Sequence, residues 1–185
     1  MDLDTAREVA EKFFTISGDI KVLAGERNPN FLVTTTAGKF VLKIHSGEEV
    51  SQIQIQQSAL STLEQLVKFQ TPKTIAAASG ELLVNIGEGK FARMLTWIDG
   101  DLWSQSKDLG GNNKAQLGRL IANVDSQLAT VDCTNFRTTL DQPFGWNALQ
   151  AKELVADIAL IKDAELRDQV STIFDRISNR TLAKV

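Results

Sequence analysis

Strand-like apolar runs in this chain all come before Asp99-Gly100, and that change of class limits the fold more than any other feature. Before it, runs rich in Val, Leu, Phe and Thr predict strands over Ile20 to Ala24, Phe31 to Thr35, Lys39 to His45, Glu81 to Ile86 and Phe91 to Thr96. Thr36-Ala37-Gly38 and Gly87-Glu88-Gly89 supply turns between them, so two hairpins are expected. Two helices share this part. Residues 5 to 15 put Ala6, Val9, Ala10, Phe13 and Phe14 on one face, with Asp2 or Asp4 as cap, and residues 48 to 68 carry a stripe of Val50, Ile53, Leu60, Leu63 and Val67 that ends before Thr71-Pro72. After the change only helical spacing remains. Leu117, Leu120, Ile121, Val124 and Leu128 follow Asn112 or Asn113 as caps. Ala151, Leu154, Val155, Ile158 and Ile161 form a second stripe, and Leu166, Val170, Ile173, Phe174 and Ile177 a third behind Asp163. The pattern predicts an α+β protein: an antiparallel sheet of about five strands with the 48 to 68 helix packed on it in residues 1 to 99, then helices in residues 100 to 185.

Composition removes several functions. Lys and Arg number 20 against 23 Asp and Glu, and the resulting net charge of -3 gives no field suited to nucleic acid or an anionic membrane. One cysteine, Cys133, excludes an internal disulfide, and one histidine, His45, excludes multi-histidine metal sites and Cys/His zinc modules. No apolar run approaches the roughly 20 residues of a membrane span. The N-terminus, Met1-Asp2-Leu3-Asp4, is acidic where a signal peptide is basic, so a cytoplasmic location is expected.

Three segments stand where chemistry is possible. Gly25-Glu26-Arg27-Asn28-Pro29-Asn30 joins the first two strands and could offer backbone N–H groups to an anion, although such a turn is by itself only a turn. Lys43 lies inside the apolar strand Val41-Leu42-Lys43-Ile44, on the face of Val41 and His45, where its charge needs solvent or an anionic partner. Arg93-Met94-Leu95-Thr96-Trp97-Ile98-Asp99-Gly100 runs from a strand into the change of class, the place of a connector between lobes.

In order and in motif, these pieces resemble the N-terminal lobe of a protein-kinase-like phosphotransferase. Gly25 to Phe31, Gly38 to Lys43, Gln56 to Leu60 and Arg93 to Gly100 resemble the aminoglycoside phosphotransferase and choline kinase-like family, and within it hydroxylysine kinases and the phosphotransferase domains fused to class III aminotransferases. The resemblance continues through Gly118 to Asp125 and Trp146. It implies a kinase-like N-terminal lobe over residues 1 to 99 and the start of a helical C-terminal lobe after it.

The resemblance also implies roles. Lys43 would neutralise the α/β-phosphates of ATP or GTP, and the turn with Gly25, Asn28 and Asn30 would cover them. Main-chain groups at Thr96 and Ile98 would read the base, and Met94 or Leu95 would wall the pocket. Gln56 falls where many kinases place a glutamate that pairs with the lysine; an amide there could accept a hydrogen bond from Lys43 but could not form an ion pair. The family transfers the γ-phosphoryl group with magnesium, which implies a nucleotide and a small hydroxylated amine as partners.

The family's His-Gly-Asp segment, with Asn five residues after the Asp, and its further metal-binding Asp have no counterpart. His45 is followed by Ser46-Gly47-Glu48, and Asp108 and Asn113, although five apart, come too early in the chain. No catalytic residue or metal ligand is therefore assigned. The chain is expected to be the first part of a longer kinase, inactive alone and prone to self-association through uncovered apolar helix faces. The alternative is a non-catalytic nucleotide-binding or docking module, possibly within an aminotransferase-fused protein. Trp97, Trp103 and Trp146 read as packing anchors, and Cys133 lacks the basic setting of a nucleophile.

Overall fold

The computed structural model describes residues 1–25, 28–47, 50–66, 69–102, 105, 111–134 and 148–180. Helix α1, Leu3–Phe14, starts where the Asp2 carboxylate accepts from Thr5 N–H at 2.8 Å, and it ends at Thr15 in the left-handed conformation. Its buried face is Ala6, Val9, Ala10 and Phe14, the stripe expected from the sequence.

Six strands follow: β1 (Asp19–Leu23), β2 (Asn30–Thr35), β3 (Gly38–Ser46), β4 (Thr74–Ile75), β5 (Val84–Gly87) and β6 (Lys90–Thr96). They form one sheet in the order β1-β2-β3-β6-β4, with β5 also on β6, and every pairing is antiparallel. The β2–β3 hairpin closes through Thr35, whose hydroxyl accepts from the N–H groups of Ala37 and Gly38. At the β5–β6 turn Gly87, Glu88 and Gly89 all have positive φ, which explains the two glycines. The expected five strands are present, and β4 is the addition.

One face of the sheet holds the core. Phe31, Val33, Leu42, Ile44, Ala92 and Met94 are buried there with the apolar face of α1. On the other face lies helix α2, Val50–Leu66, with Ile53 fully buried and Val50, Leu60 and Leu63 half-buried. Its Gln57 amide donates to the Leu82 carbonyl at 2.9 Å. Val67, in the expected stripe, lies outside the described residues.

Helix α3, Gly111–Leu128, packs against α2, so the first compact unit runs from Met1 to Arg137, past the change of class at residue 99. It starts at Gly111, which puts Asn112 and Asn113 inside its first turn rather than at its cap. The second unit, Thr138–Val185, contains a 3-10 helix, Ala148–Leu160, and helix α4, Ala164–Arg180. The 3-10 turn brings every third residue onto one face, so the stripe predicted at α-helical spacing is not kept, and Leu154 and Val155 are exposed. Asp163 caps α4 as expected, accepting from Leu166 N–H at 3.0 Å. Leu166 and Ile173 are exposed on α4. Among the described residues no helix is long and apolar enough to cross a membrane.

Candidate functional site

Strand register gathers the predicted residues. Asn30 on β2 lies opposite Lys43 on β3, and Lys43 lies opposite Arg93 on β6. Alternation turns these side chains away from the α1 core, because their neighbours Phe31, Leu42, Ile44, Ala92 and Met94 point into it. Lys43 is half-buried, beside Val41 and His45 on the face that the sequence pattern gave it.

The turn before β2 is tied to that face. Asn30 Nδ2 donates to the Asn28 carbonyl at 3.1 Å, the Pro29 carbonyl accepts from Ile44 N–H at 3.1 Å, and Asn28 Nδ2 lies 3.5 Å from His45 Nδ1. Gly25 closes against this arrangement: a Cβ there would lie 2.4 Å from Asn30 Nδ2 and 2.6 Å from the Asn28 oxygen. With its amide nitrogen so engaged, Asn30 keeps a buried Oδ1 that accepts no bond among the described residues. Glu26 and Arg27, in the same turn, lie outside the described residues, as do Trp103, Asp108 and Trp146.

A cavity of about 300 Å³ opens beside these groups. Asn30 and Lys43 line it together with Thr96, Trp97 and Ile98, and Val41, Leu95, Leu23, Ala24 and Pro72 supply its apolar surface. Leu95 and not Met94 is at the wall. Met94 pairs with Leu42, is fully buried in the core and belongs to the opposite face, so the expectation that it walls the pocket is corrected by strand alternation.

The connector is held on both sides. Trp97 N–H donates to the Lys39 carbonyl at 3.1 Å, and Thr96 N–H to the Lys73 carbonyl at 2.9 Å. The Lys73 N–H goes to the Thr96 hydroxyl, also at 2.9 Å, rather than to its carbonyl. Beyond, Asp99 Oδ1 accepts from Lys39 Nζ at 2.6 Å and from the Trp97 indole at 3.0 Å; the lysine first and the indole second hold its carboxyl below the usual carboxylate range. A second hollow of about 610 Å³ shares Thr96, Trp97 and Ile98 and is flanked by the Glu64–Lys73 ion pair at 2.7 Å.

Gln56, on α2, is exposed, yet its Oε1 accepts a 2.6 Å bond from Arg93 Nη2, and Arg93 is 3% exposed. This bond and the strand β4, whose preceding residue Lys73 holds Thr96, are the parts of the site that sequence reasoning missed. An arginine inside the apolar run Phe91-Ala92-Arg93-Met94-Leu95 was the available signal for the first.

An antiparallel sheet crossed by one helix, a lysine on its third strand and a connector after its last strand together define a kinase-like N-terminal lobe. The sequence matches the model of the phosphotransferase enzyme family over residues 19–183, and the chain belongs to that family. Three solved structures are similar to it. A spectinomycin phosphotransferase, determined with ADP and spectinomycin, is 12% identical, with a TM-score of 0.63 over 97% of this chain and 54% of its own. A microcompartment-associated aminopropanol kinase is 17% identical, with a TM-score of 0.55 over 68% of this chain and 40% of its own. A putative aminoglycoside phosphotransferase from Ralstonia eutropha is 16% identical, with a TM-score of 0.51 over 91% and 53%. The chain thus spans about half or less of each. No curated protein matches it by sequence.

Proposed function

We propose that this chain forms the nucleotide-binding part of a small-molecule phosphotransferase. The observation that carries this reading is the cavity of about 300 Å³ with Asn30 and Lys43 lining it together with the connector residues Thr96 to Ile98. The Lys43 ammonium neutralises the α/β-phosphates of ATP or GTP, and the Gly25 to Asn30 turn covers them. The Thr96 carbonyl and Ile98 N–H read the base edge, since the N–H groups of Thr96 and Trp97 already serve Lys73 and Lys39.

In the whole protein the γ-phosphoryl group passes to a hydroxyl of a small amine-bearing molecule, a choice supported by the aminopropanol kinase among the similar structures. Magnesium, when bound, neutralises charge on the phosphates. Among the described residues no group of three His, Cys, Asp or Glu could hold a metal ion, and we assign none of its ligands to this chain. The chain matches only 40% to 54% of the similar structures, and we propose that the catalytic base and the acceptor site lie in the part of the fold it does not match. Titration with ATP, followed by heteronuclear NMR, is expected to move the amides of Gly25, Lys43 and Thr96 to Ile98, and Lys43→Ala to reduce the shifts. Shifts scattered elsewhere and indifferent to that substitution would overturn the site.

A further inference from the structure

Register sets a second cation beside Lys43. Trp97 N–H donates to the Lys39 carbonyl, so counting along the ladder makes Lys43 and Arg93 a directly opposed, hydrogen-bonded pair with both side chains on one face. Cβ atoms in such pairs are about 4.5–5.5 Å apart. Lys43 lines the cavity, whereas Arg93 is buried behind it. A guanidinium keeps its proton at any working pH, so a permanent positive charge stands next to the lysine whatever else the two groups touch. Gln56 orients this guanidinium through the 2.6 Å bond and, being neutral, adds no charge of its own.

We infer that Arg93, held by Gln56, is a positioning residue that makes the Lys43 end of the cavity selective for a nucleoside polyphosphate over an uncharged nucleoside; the inference rests on the nucleotide reading above. Coulomb attraction falls only as the inverse of distance, so each phosphate seated at Lys43 is attracted by Arg93 as well. A bare nucleoside gains nothing from either cation. The same bond ties α2 to the phosphate end, because Gln56 belongs to that helix and Arg93 to the sheet.

The test compares affinities of the full chain for ATP and adenosine at low salt, in the wild type and in Arg93→Met, Arg93→Lys and Gln56→Ala. Arg93→Met is expected to reduce the preference for ATP over adenosine about tenfold, almost wholly through ATP, and Gln56→Ala about threefold. Arg93→Lys should restore most of the preference by returning the charge. Equal weakening of ATP and adenosine in Arg93→Met would show a merely structural residue and overturn the inference, as would an unchanged preference. If Arg93→Met does not fold, Gln56→Ala decides alone, since Gln56 is exposed and its loss leaves the core intact. A wild type that binds neither ligand rejects the nucleotide reading itself, and with it this one. That failure is seen before any variant is made, so the two are distinguishable.

Discussion

Lys39 Nζ and Asp99 Oδ1 stand 2.6 Å apart across 60 residues of sequence, joining the start of β3 to the segment that follows β6. The same oxygen accepts from the Trp97 indole, so one carboxylate fixes both ends of the short stretch whose middle residue, Ile98, lines the cavity. Both partners are largely exposed, and exposed ion pairs add little to global stability. The contact therefore acts on the local path of the connector.

Removing it should give a pH-dependent signature. The bond to Lys39, and then that to Trp97, lower the proton affinity of Asp99 in the folded state. The folded chain thus binds fewer protons here than the unfolded one, and the contribution is fully present above the ordinary carboxylate value. It is lost as pH falls from there through the lower folded value. The difference in Tm between wild type and Asp99→Asn is expected to be small at neutral pH, to vanish over that acid window and to shrink with salt. A difference that is constant with pH would show that the carboxylate charge plays no part.

Met94 and Leu95 are adjacent yet answer to different environments. Met94 is fully buried between sheet and α1, so Met94→Ala should cost about 2–5 kcal/mol of stability and leave nucleotide affinity of the folded fraction unchanged. Leu95→Ala enlarges the cavity and should weaken ATP binding beyond any loss of stability. Urea denaturation paired with calorimetric titration separates the two. Equal effects of both substitutions on ATP would show that the sheet faces are not independent.

This pair also shows what the sequence could and could not reveal. Alternation within one strand says that Met94 and Leu95 face opposite ways, but only the register Lys43 to Arg93 says which of them shares the lysine's face. Register is a long-range property: it joins segments 50 residues apart and leaves no local trace. The α1 stripe, the Gly-containing hairpin turns and the Asp163 cap were legible because each is decided within a few residues. Strand β4 was not, because Thr74–Ile75 is too short to alternate and forms only by pairing with Leu95 and Met94. The Gln56–Arg93 bond escaped for the same reason as the register, its partners being 37 positions apart.

Gly18 tests the approach of the chain to β1. A Cβ at Gly18 would lie 2.2 Å from the Thr34 carbonyl oxygen and 2.9 Å from its carbon, both backbone atoms of β2 that cannot swing aside. Gly18→Ala is expected to cost about 1–3 kcal/mol through strain at the β1–β2 edge. Urea midpoints measure it, and an unchanged midpoint would mean that β1 can shift freely against β2.

Gly25 makes the corresponding case at the site. The nearest obstacle to a Cβ is Asn30 Nδ2 at 2.4 Å, a side-chain group that could rotate, but the Asn28 carbonyl at 2.6 Å is backbone and is itself the acceptor of that nitrogen. Relief of the first overlap therefore breaks the Asn30–Asn28 bond and turns the amide that lines the cavity, while relief of the second moves the turn. Either route disturbs the proposed phosphate cover and leaves the core untouched, since no described residue of the turn belongs to it. Gly25→Ala should consequently lower ATP affinity by about tenfold with a Tm close to that of the wild type. Asn30→Ala removes the first overlap together with the buried Oδ1 but leaves the one with the Asn28 carbonyl, so the double variant should not regain affinity. Recovery of full ATP binding in Gly25→Ala/Asn30→Ala would show that the turn needs room alone and that the Asn30 amide takes no part in holding the ligand.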